Sequence, residues 1–376
     1  MRKIESVKLD DRNVLVRCDF NVPLDKNGNI ISYKRIDSAK QTIDYLLNKN
    51  CKIVLCSHMG RPNGKIVNEL SLKCVYNYLQ QLYPSKVFFC DKLNEIDINK
   101  AKKMLNHGEI LLLENLRFDV REEENDNTFA EMLAEGMDYF VDEAFAIFHR
   151  KSASNSAIKK LLPSVMGFNY SLEVQALTLK DKQRPILAIL GGAKVSDKIE
   201  LISKLVEKVD NIFIGGALAN TFMYALGYNI NENIVEKDKK QIALKIINKA
   251  KKLNKQLVFP KDVYVLTQNG DKKLKNISNL LNLDVCLDIG KESVREIKGL
   301  IMSAKTIFWN GPLGKTSDEK FEWGTKKVAQ LLAQSSAYTI IGGGDSVAEV
   351  EKYNLQNKIN FVSTGGGASL KYIQRG

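Results

Sequence analysis

Residues 186–198 read Ile186-Leu187-Ala188-Ile189-Leu190-Gly191-Gly192-Ala193-Lys194-Val195-Ser196-Asp197-Lys198, and their order decides the fold. Five consecutive apolar residues without alternation describe a strand buried on both faces. Two glycines end the run, and an amphipathic stretch, Val195–Val206, follows as a crossover. Strand, tight turn and helix in that order are the unit of a parallel sheet. Working outward, the unit recurs. Downstream apolar runs are Ile212–Ile214, Leu257–Phe259, Ile307–Trp309, Thr339–Ile341 and Phe361–Ser363. Upstream are Val14–Val16, Ile53–Cys56, Val87–Cys90, Ile110–Leu113 and Tyr139–Val141. Helical patterns at Lys34–Leu47, Leu70–Leu82 and Asp238–Leu253 supply further crossovers. A chain of 376 residues exceeds what one core usually serves. The reading is therefore an α/β protein of two doubly wound, Rossmann-like parallel-sheet domains, 1–167 and 168–376. The boundary falls near Gly167, with a joining helix expected over Tyr170–Leu179.

Composition narrows the function. The net charge of +12 could advertise nucleic-acid binding, but its distribution argues against that. Residues 1–170 hold 25 basic against 23 acidic side chains, and the rest 31 against 21, so the excess is scattered lysine in the second half. Arginine is placed differently: eight of 11 fall in the first 170 residues. Because arginine suits bidentate anion recognition, that half is where an anion site is expected. No apolar run approaches the roughly 20 residues of a bilayer span. The six cysteines lack zinc or redox spacing, and His107 stands outside any motif. A cytoplasmic protein with reduced thiols and no nucleic-acid or membrane partner is expected.

Ligands of open α/β sheets bind beyond the carboxyl ends of the strands. In the first series those ends carry Arg17-Cys18-Asp19-Phe20-Asn21, Ser57-His58-Met59-Gly60-Arg61-Pro62, Glu114-Asn115-Leu116-Arg117 and, slightly later, His149-Arg150. Each alone is as well read as surface charge; together they point to an anion. The second series ends in glycines: Gly191-Gly192, Gly215-Gly216, Gly311, Gly342-Gly343-Gly344 and Gly365-Gly366-Gly367. Glycines at strand-to-helix turns let phosphates approach backbone amides and helix N-termini. Lys194 and Lys198, four apart, are expected on one face of the opening helix turns, within reach of a polyphosphate or simply solvated. The spacing matches neither the P-loop nor the dinucleotide fingerprint. Asp345, after three glycines, suits Mg²⁺ coordination, a helix cap, or both.

These segments, with Asp19-Phe20-Asn21-Val22-Pro23, Glu114-Asn115-Leu116-Arg117-Phe118, Trp309-Asn310-Gly311-Pro312-Leu313-Gly314 and Ser363-Thr364-Gly365-Gly366-Gly367-Ala368, resemble the phosphoglycerate kinase motifs, in that family's order. The resemblance implies that 3-phosphoglycerate is held by Asp19, Asn21, Arg35, His58, Arg61, Arg117, His149 and Arg150. It implies that ATP or ADP, with Mg²⁺ on Asp345, is held by Gly191, Gly192, Lys198, Gly215, Gly216, Pro312, Gly343, Gly344, Asp345 and Ser346. Arg35, Lys194, Gly365 and Gly366 would meet the phosphoryl group in transfer. It further implies a monomer that bends at a hinge helix, with the final segment returning toward the first domain. Three positions depart from the family: Ser317 where a ribose-binding glutamate is usual, Ser152 for a second histidine, and Asp142-Glu143 for Asn-Asp.

Overall fold

The structure, a computed structural model, describes residues 1–196, 198–231 and 234–375. It divides into two compact units, Met1–Gln175 and Ala176–Gly376. In the first unit, strands β1 (Arg2–Lys3), β2 (Asn13–Arg17), β3 (Lys52–Cys56), β4 (Val87–Cys90), β5 (Ile110–Leu113), β6 (Tyr139–Asp142) and β7 (Ser164–Met166) form one sheet. Its order is β1-β7-β6-β2-β3-β5-β4, with every pairing parallel. Alternation along β2 feeds two cores. Val14 and Val16 pack with Ile53, Leu55, Leu112 and Val141 on one face. Leu15 packs with Val54, Leu111, Leu113 and Phe140 on the other. Helices cover both faces, which is why these strands are apolar throughout.

In the second unit the strands are β8 (Ile186–Leu190), β9 (Asn211–Ile214), β10 (Gln256–Val258), β11 (Asp262–Leu266), β12 (Lys272–Asn276), β13 (Val285–Ile289), β14 (Thr306–Asn310), β15 (Tyr338–Ile341) and β16 (Phe361–Val362). A parallel sheet runs β10-β9-β8-β14-β15-β16, and β12-β11-β13 make a small antiparallel sheet that the sequence reading lacked. Lys272-Lys273-Leu274-Lys275-Asn276 is mostly exposed and polar, so no apolar run marks it. The last helix, Gly367–Arg375, packs on Ile199–Lys208, and Lys208 Nζ donates to the Ile373 carbonyl at 2.5 Å.

The expected crossover Lys34–Leu47 is two helices, Lys34–Ser38 and Lys40–Asn48. The expected Val195–Val206 begins later, at Ile199. The joining helix is Phe168–Leu177. Its first turn is held by Glu143, whose Oε1 accepts from Asn169 N–H and Thr42 Oγ1, both at 3.0 Å. A Cβ on Gly167 would sit 1.8 Å from the same carboxyl, so only glycine fits there. Burial pushes Glu143 up to about 8 from an ordinary 4.5, with those hydrogen bonds offsetting only part. Between those values the folded chain keeps a proton that the unfolded chain releases, so stability falls as pH rises from about 4.5 to about 8. Glu143→Gln is expected to flatten that slope. Melting curves of both proteins at pH 5 and pH 8 test it: parallel losses in the two would contradict the assignment.

Candidate active site

In the first unit, β2, β3 and β5 are neighbours, so the loops that follow them meet at one sheet edge. Side chains tie these loops together. Ser57 Oγ accepts from Phe20 N–H and donates to the Cys18 carbonyl, each at 2.9 Å. Asn21 Oδ1 accepts from Gly60 N–H at 2.9 Å, and Arg117 Nη1 donates to the Gly60 carbonyl at 2.6 Å. Asn115 spans Met59 on both its amide atoms, 3.1 and 2.8 Å. Arg35, on the helix Lys34–Ser38, donates to Asp19 Oδ2 at 2.7 Å.

At the centre lies Arg17, 1% exposed. It donates through Nε to Ser154 Oγ at 2.8 Å and through Nη1 to the Cys18 carbonyl, and its Nη2 lies 3.1 Å from His58 Nδ1. Arginine can only donate, so Nδ1 is the acceptor and the imidazole proton sits on Nε2. Burial holds His58 well below its usual range, and the charges of Arg17, Arg117, Arg150 and Arg35 depress it further. The imidazole is neutral at pH 7, with Arg17 in contact and the charges of three further arginines acting on it. An anion is the natural counterpart of that cluster.

The structure thus ties together the loops of Asp19, Asn21, Arg35, His58 and Arg117, while Arg150 is exposed and acts on His58 through its charge. Arg61 follows Gly60 and is exposed. His149 is half-buried, its ring edge-on to Phe148 with centroids 5.5 Å apart. Ser152 is buried, and its carbonyl accepts from Asn155 and Ser156 N–H at the start of the turn Ala153–Ala157. The sequence reading had not assigned Arg17 to the site. Its signal was present: an arginine closing a strand whose preceding three residues are wholly buried.

In the second unit the glycine ends lie against one another. Gly191 N–H donates to the Asn310 carbonyl and Gly192 N–H to that of Pro312, both at 2.9 Å. A Cβ on Gly191 would meet Pro312 O at 2.0 Å, and one on Gly216, whose φ is +63°, would meet it at 2.9 Å. Gly311 N–H donates to Ser346 Oγ and Asn310 Nδ2 to the Gly342 carbonyl, both at 2.5 Å, which joins the β14 and β15 ends. Helices begin at Gly216, Gly344 and Gly367. The dipoles of these helices make this edge an anion platform. Gly365 N–H bonds Ser363 Oγ at 3.1 Å, and Gly366 turns with φ +55°. Asp345, in the first turn of its helix, is exposed.

The two lysines are placed otherwise than expected. Both precede the helix, and Lys198 is its N-cap. Lys198 Nζ donates to the carbonyls of Gly191 at 2.6 Å and Asn310 at 3.4 Å, whereas Lys194 is exposed. Ahead of the helix, Val195 and Ser196 N–H donate to Glu236 Oε2. Asp197 lies outside the described residues. Near Ser317, Asp318 Oδ1 already accepts from Lys320 N–H at 3.0 Å. Beneath that loop is Asp288, which burial pushes up to about 7 while Gly324 and Ile289 N–H bond it at 2.8 and 2.9 Å.

Among the described residues, no group of three or more His, Cys, Asp or Glu side chains could hold a metal, and no helix is long and apolar enough to cross a membrane. A family model described as phosphoglycerate kinase matches residues 4–375. The phosphoglycerate kinase of Finegoldia magna is 40% identical over 380 residues, covering 99% of this chain and 96% of that protein. That of Herpetosiphon aurantiacus is 42% identical over 376 residues, covering 99% and 95%. Among solved structures, phosphoglycerate kinase from Coxiella burnetii superposes with a TM-score of 0.90 at 35% identity, covering 99% of this chain and 95% of that one. The enzyme from Pyrococcus horikoshii gives 0.82 at 29% identity, with 100% and 96% covered.

Proposed function

The chain belongs to the phosphoglycerate kinase family, and we propose that its first unit holds 3-phosphoglycerate while its second holds ATP or ADP with Mg²⁺. The observation that carries this is the contact of Arg17 with His58 at the sheet edge where Arg35 and Arg117 are bonded into the neighbouring loops, a basic setting for a ligand bearing both phosphate and carboxylate. The reaction is reversible phosphoryl transfer between 1,3-bisphosphoglycerate and ADP. It needs no general base, because a carboxylate with a pKa of about 4 is already ionised at neutral pH. Neutralising and aligning charge is the whole task.

The proposed roles rest on the family resemblance. Asp19, Asn21, Arg35, His58, Arg61, Arg117, His149 and Arg150 hold the acid. Gly191, Gly192, Gly215, Gly216, Pro312, Gly343, Gly344 and Ser346 form the backbone surface for the nucleotide. Lys198 would exchange its bonds to the Gly191 and Asn310 carbonyls for phosphate oxygens. Lys194, Arg35 and the amides of Gly365 and Gly366 meet the phosphoryl group in transfer. Asp345 suits Mg²⁺, since one exposed carboxylate beside a nucleotide platform is what a phosphate-bound magnesium takes from a protein. Bound there, magnesium would neutralise charge on the nucleotide's phosphates. Asp318, whose Oδ1 accepts from Lys320 N–H, and Glu319 are the carboxylates beside Ser317 that could serve the ribose. All six cysteines are free thiols, in keeping with a cytoplasmic location, and we infer a monomer.

Arg61 tests the acid site without disturbing its interior. A charged hydrogen bond lost there is worth about 1.5–3 kcal/mol, so Arg61→Ala should raise KM for 3-phosphoglycerate roughly ten- to hundredfold. KM for MgATP should stay at the wild-type value, and added salt should inhibit the wild type by screening. Equal weakening of both substrates in steady-state assays would refute the assignment.

A further inference from the structure

Glu236 belongs to no strand end and to no motif, yet it reaches the segment that carries Lys194. Its Oε2 accepts from Val195 N–H at 2.5 Å and from Ser196 N–H at 3.0 Å, the two residues directly after that lysine. Its own backbone N–H donates to Thr221 Oγ1 at 3.1 Å, in the helix Gly216–Ala225. The same helix is tied to the glycine turn, Leu218 N–H donating to the Gly192 carbonyl at 2.9 Å. One carboxylate therefore braces the Lys194 segment against a helix that itself starts in the nucleotide platform. Burial favours the neutral acid, but hydrogen bonds from Ser196 and Val195 outweigh it and hold Glu236 below the usual glutamate range. At neutral pH the group is an acceptor only, matched to two donors.

The consequence lies in backbone geometry. Two successive N–H groups aimed at one oxygen fix the peptide units on either side of Val195, and the first of these begins at Lys194. Val195 is buried, but without the brace the peptide units on either side of it lose their shared acceptor, and the exposed Lys194 samples other positions. A displacement of about 1 Å at a transferring group is worth on the order of 10² in rate. We propose that Glu236 is a positioning residue for phosphoryl transfer, its carboxylate fixing Val195 and Ser196 so that the Lys194 ammonium meets the moving group. This rests on the role given to Lys194 above.

A double-mutant cycle tests it, with kcat, both KM values and melting temperature measured for Glu236→Ala, Lys194→Ala and the pair. Glu236→Ala should lower kcat about tenfold and leave KM for 3-phosphoglycerate unchanged. In the Lys194→Ala background the same change should cost less than about twofold. Glu236→Gln, which keeps an acceptor oxygen, should recover part of the rate. Independent, multiplicative losses would overturn the proposal while leaving Lys194 in its role. A Lys194→Ala enzyme close to wild type would overturn both. If Glu236→Ala does not fold, Glu236→Gln carries the cycle: its smaller loss, about two- to fivefold, must likewise vanish without Lys194, and persistence of that loss would sink the idea.

Discussion

Lys194→Ala is expected to lower kcat by about 10²–10³-fold while leaving KM for both substrates within a few-fold of wild type. The lysine stands just past Gly191-Gly192 and is exposed rather than engaged with carbonyls. Its charge is therefore available to a group that gains interaction only as it moves. An interaction formed chiefly in the transition state lowers kcat and kcat/KM together when removed, whereas uniform binding chiefly alters KM. Lys198 is the internal contrast. It rests on the Gly191 and Asn310 carbonyls, where the nucleotide's own phosphates would draw it, so Lys198→Ala should mainly raise KM for MgATP. Should Lys194→Ala keep more than about a tenth of wild-type kcat, the lysine is not stabilising the transferred group, and Arg35 becomes the cation to test.

Arg17→Met should destabilise the first unit by about 3–5 kcal/mol, because breaking a buried ionic network leaves its remaining members uncompensated. The guanidinium contacts Ser154, the Cys18 carbonyl and His58, and lies 3.9 Å from buried Glu122. Glu122 would keep its bonds from Ser154 N–H and Oγ, at 2.9 and 2.7 Å, but lose the guanidinium beside it. His58 would lose one of the charges that depress it, so its titration should move upward, though burial would still hold it low. Denaturant unfolding gives the first quantity and imidazole NMR titration the second. A loss under about 1 kcal/mol with an unmoved His58 would show that Arg17 is a bystander.

The parallel sheets were legible because their strands are continuous apolar runs, and Ile110–Leu113 or Ile186–Leu190 admit few other readings. The strand Lys272–Asn276 was not, since its ladder is made by backbone groups and its side chains are mostly lysine. The glycine ends were legible for a physical reason: at Gly191 and Gly216 neighbouring backbone leaves no space for a Cβ. The Lys194 segment misled. Val195–Val206 has helical periodicity, but periodicity does not reveal that the helix begins only at Ile199, or that Val195 and Ser196 are bonded to a carboxylate about 40 residues later. Glu143 and Asp288 share that limitation: each is defined by burial and partners, not by local pattern.

The most direct measurement is a coupled assay of the purified chain with 3-phosphoglycerate and MgATP, run beside glycerate, which lacks the phosphate, and beside a panel of other nucleoside triphosphates. An arginine-lined acid site and a glycine-lined nucleotide platform predict turnover with 3-phosphoglycerate, inhibited by salt, and little with glycerate. Equal rates with and without the phosphate on the acid, or no turnover with any nucleotide, would contradict the account.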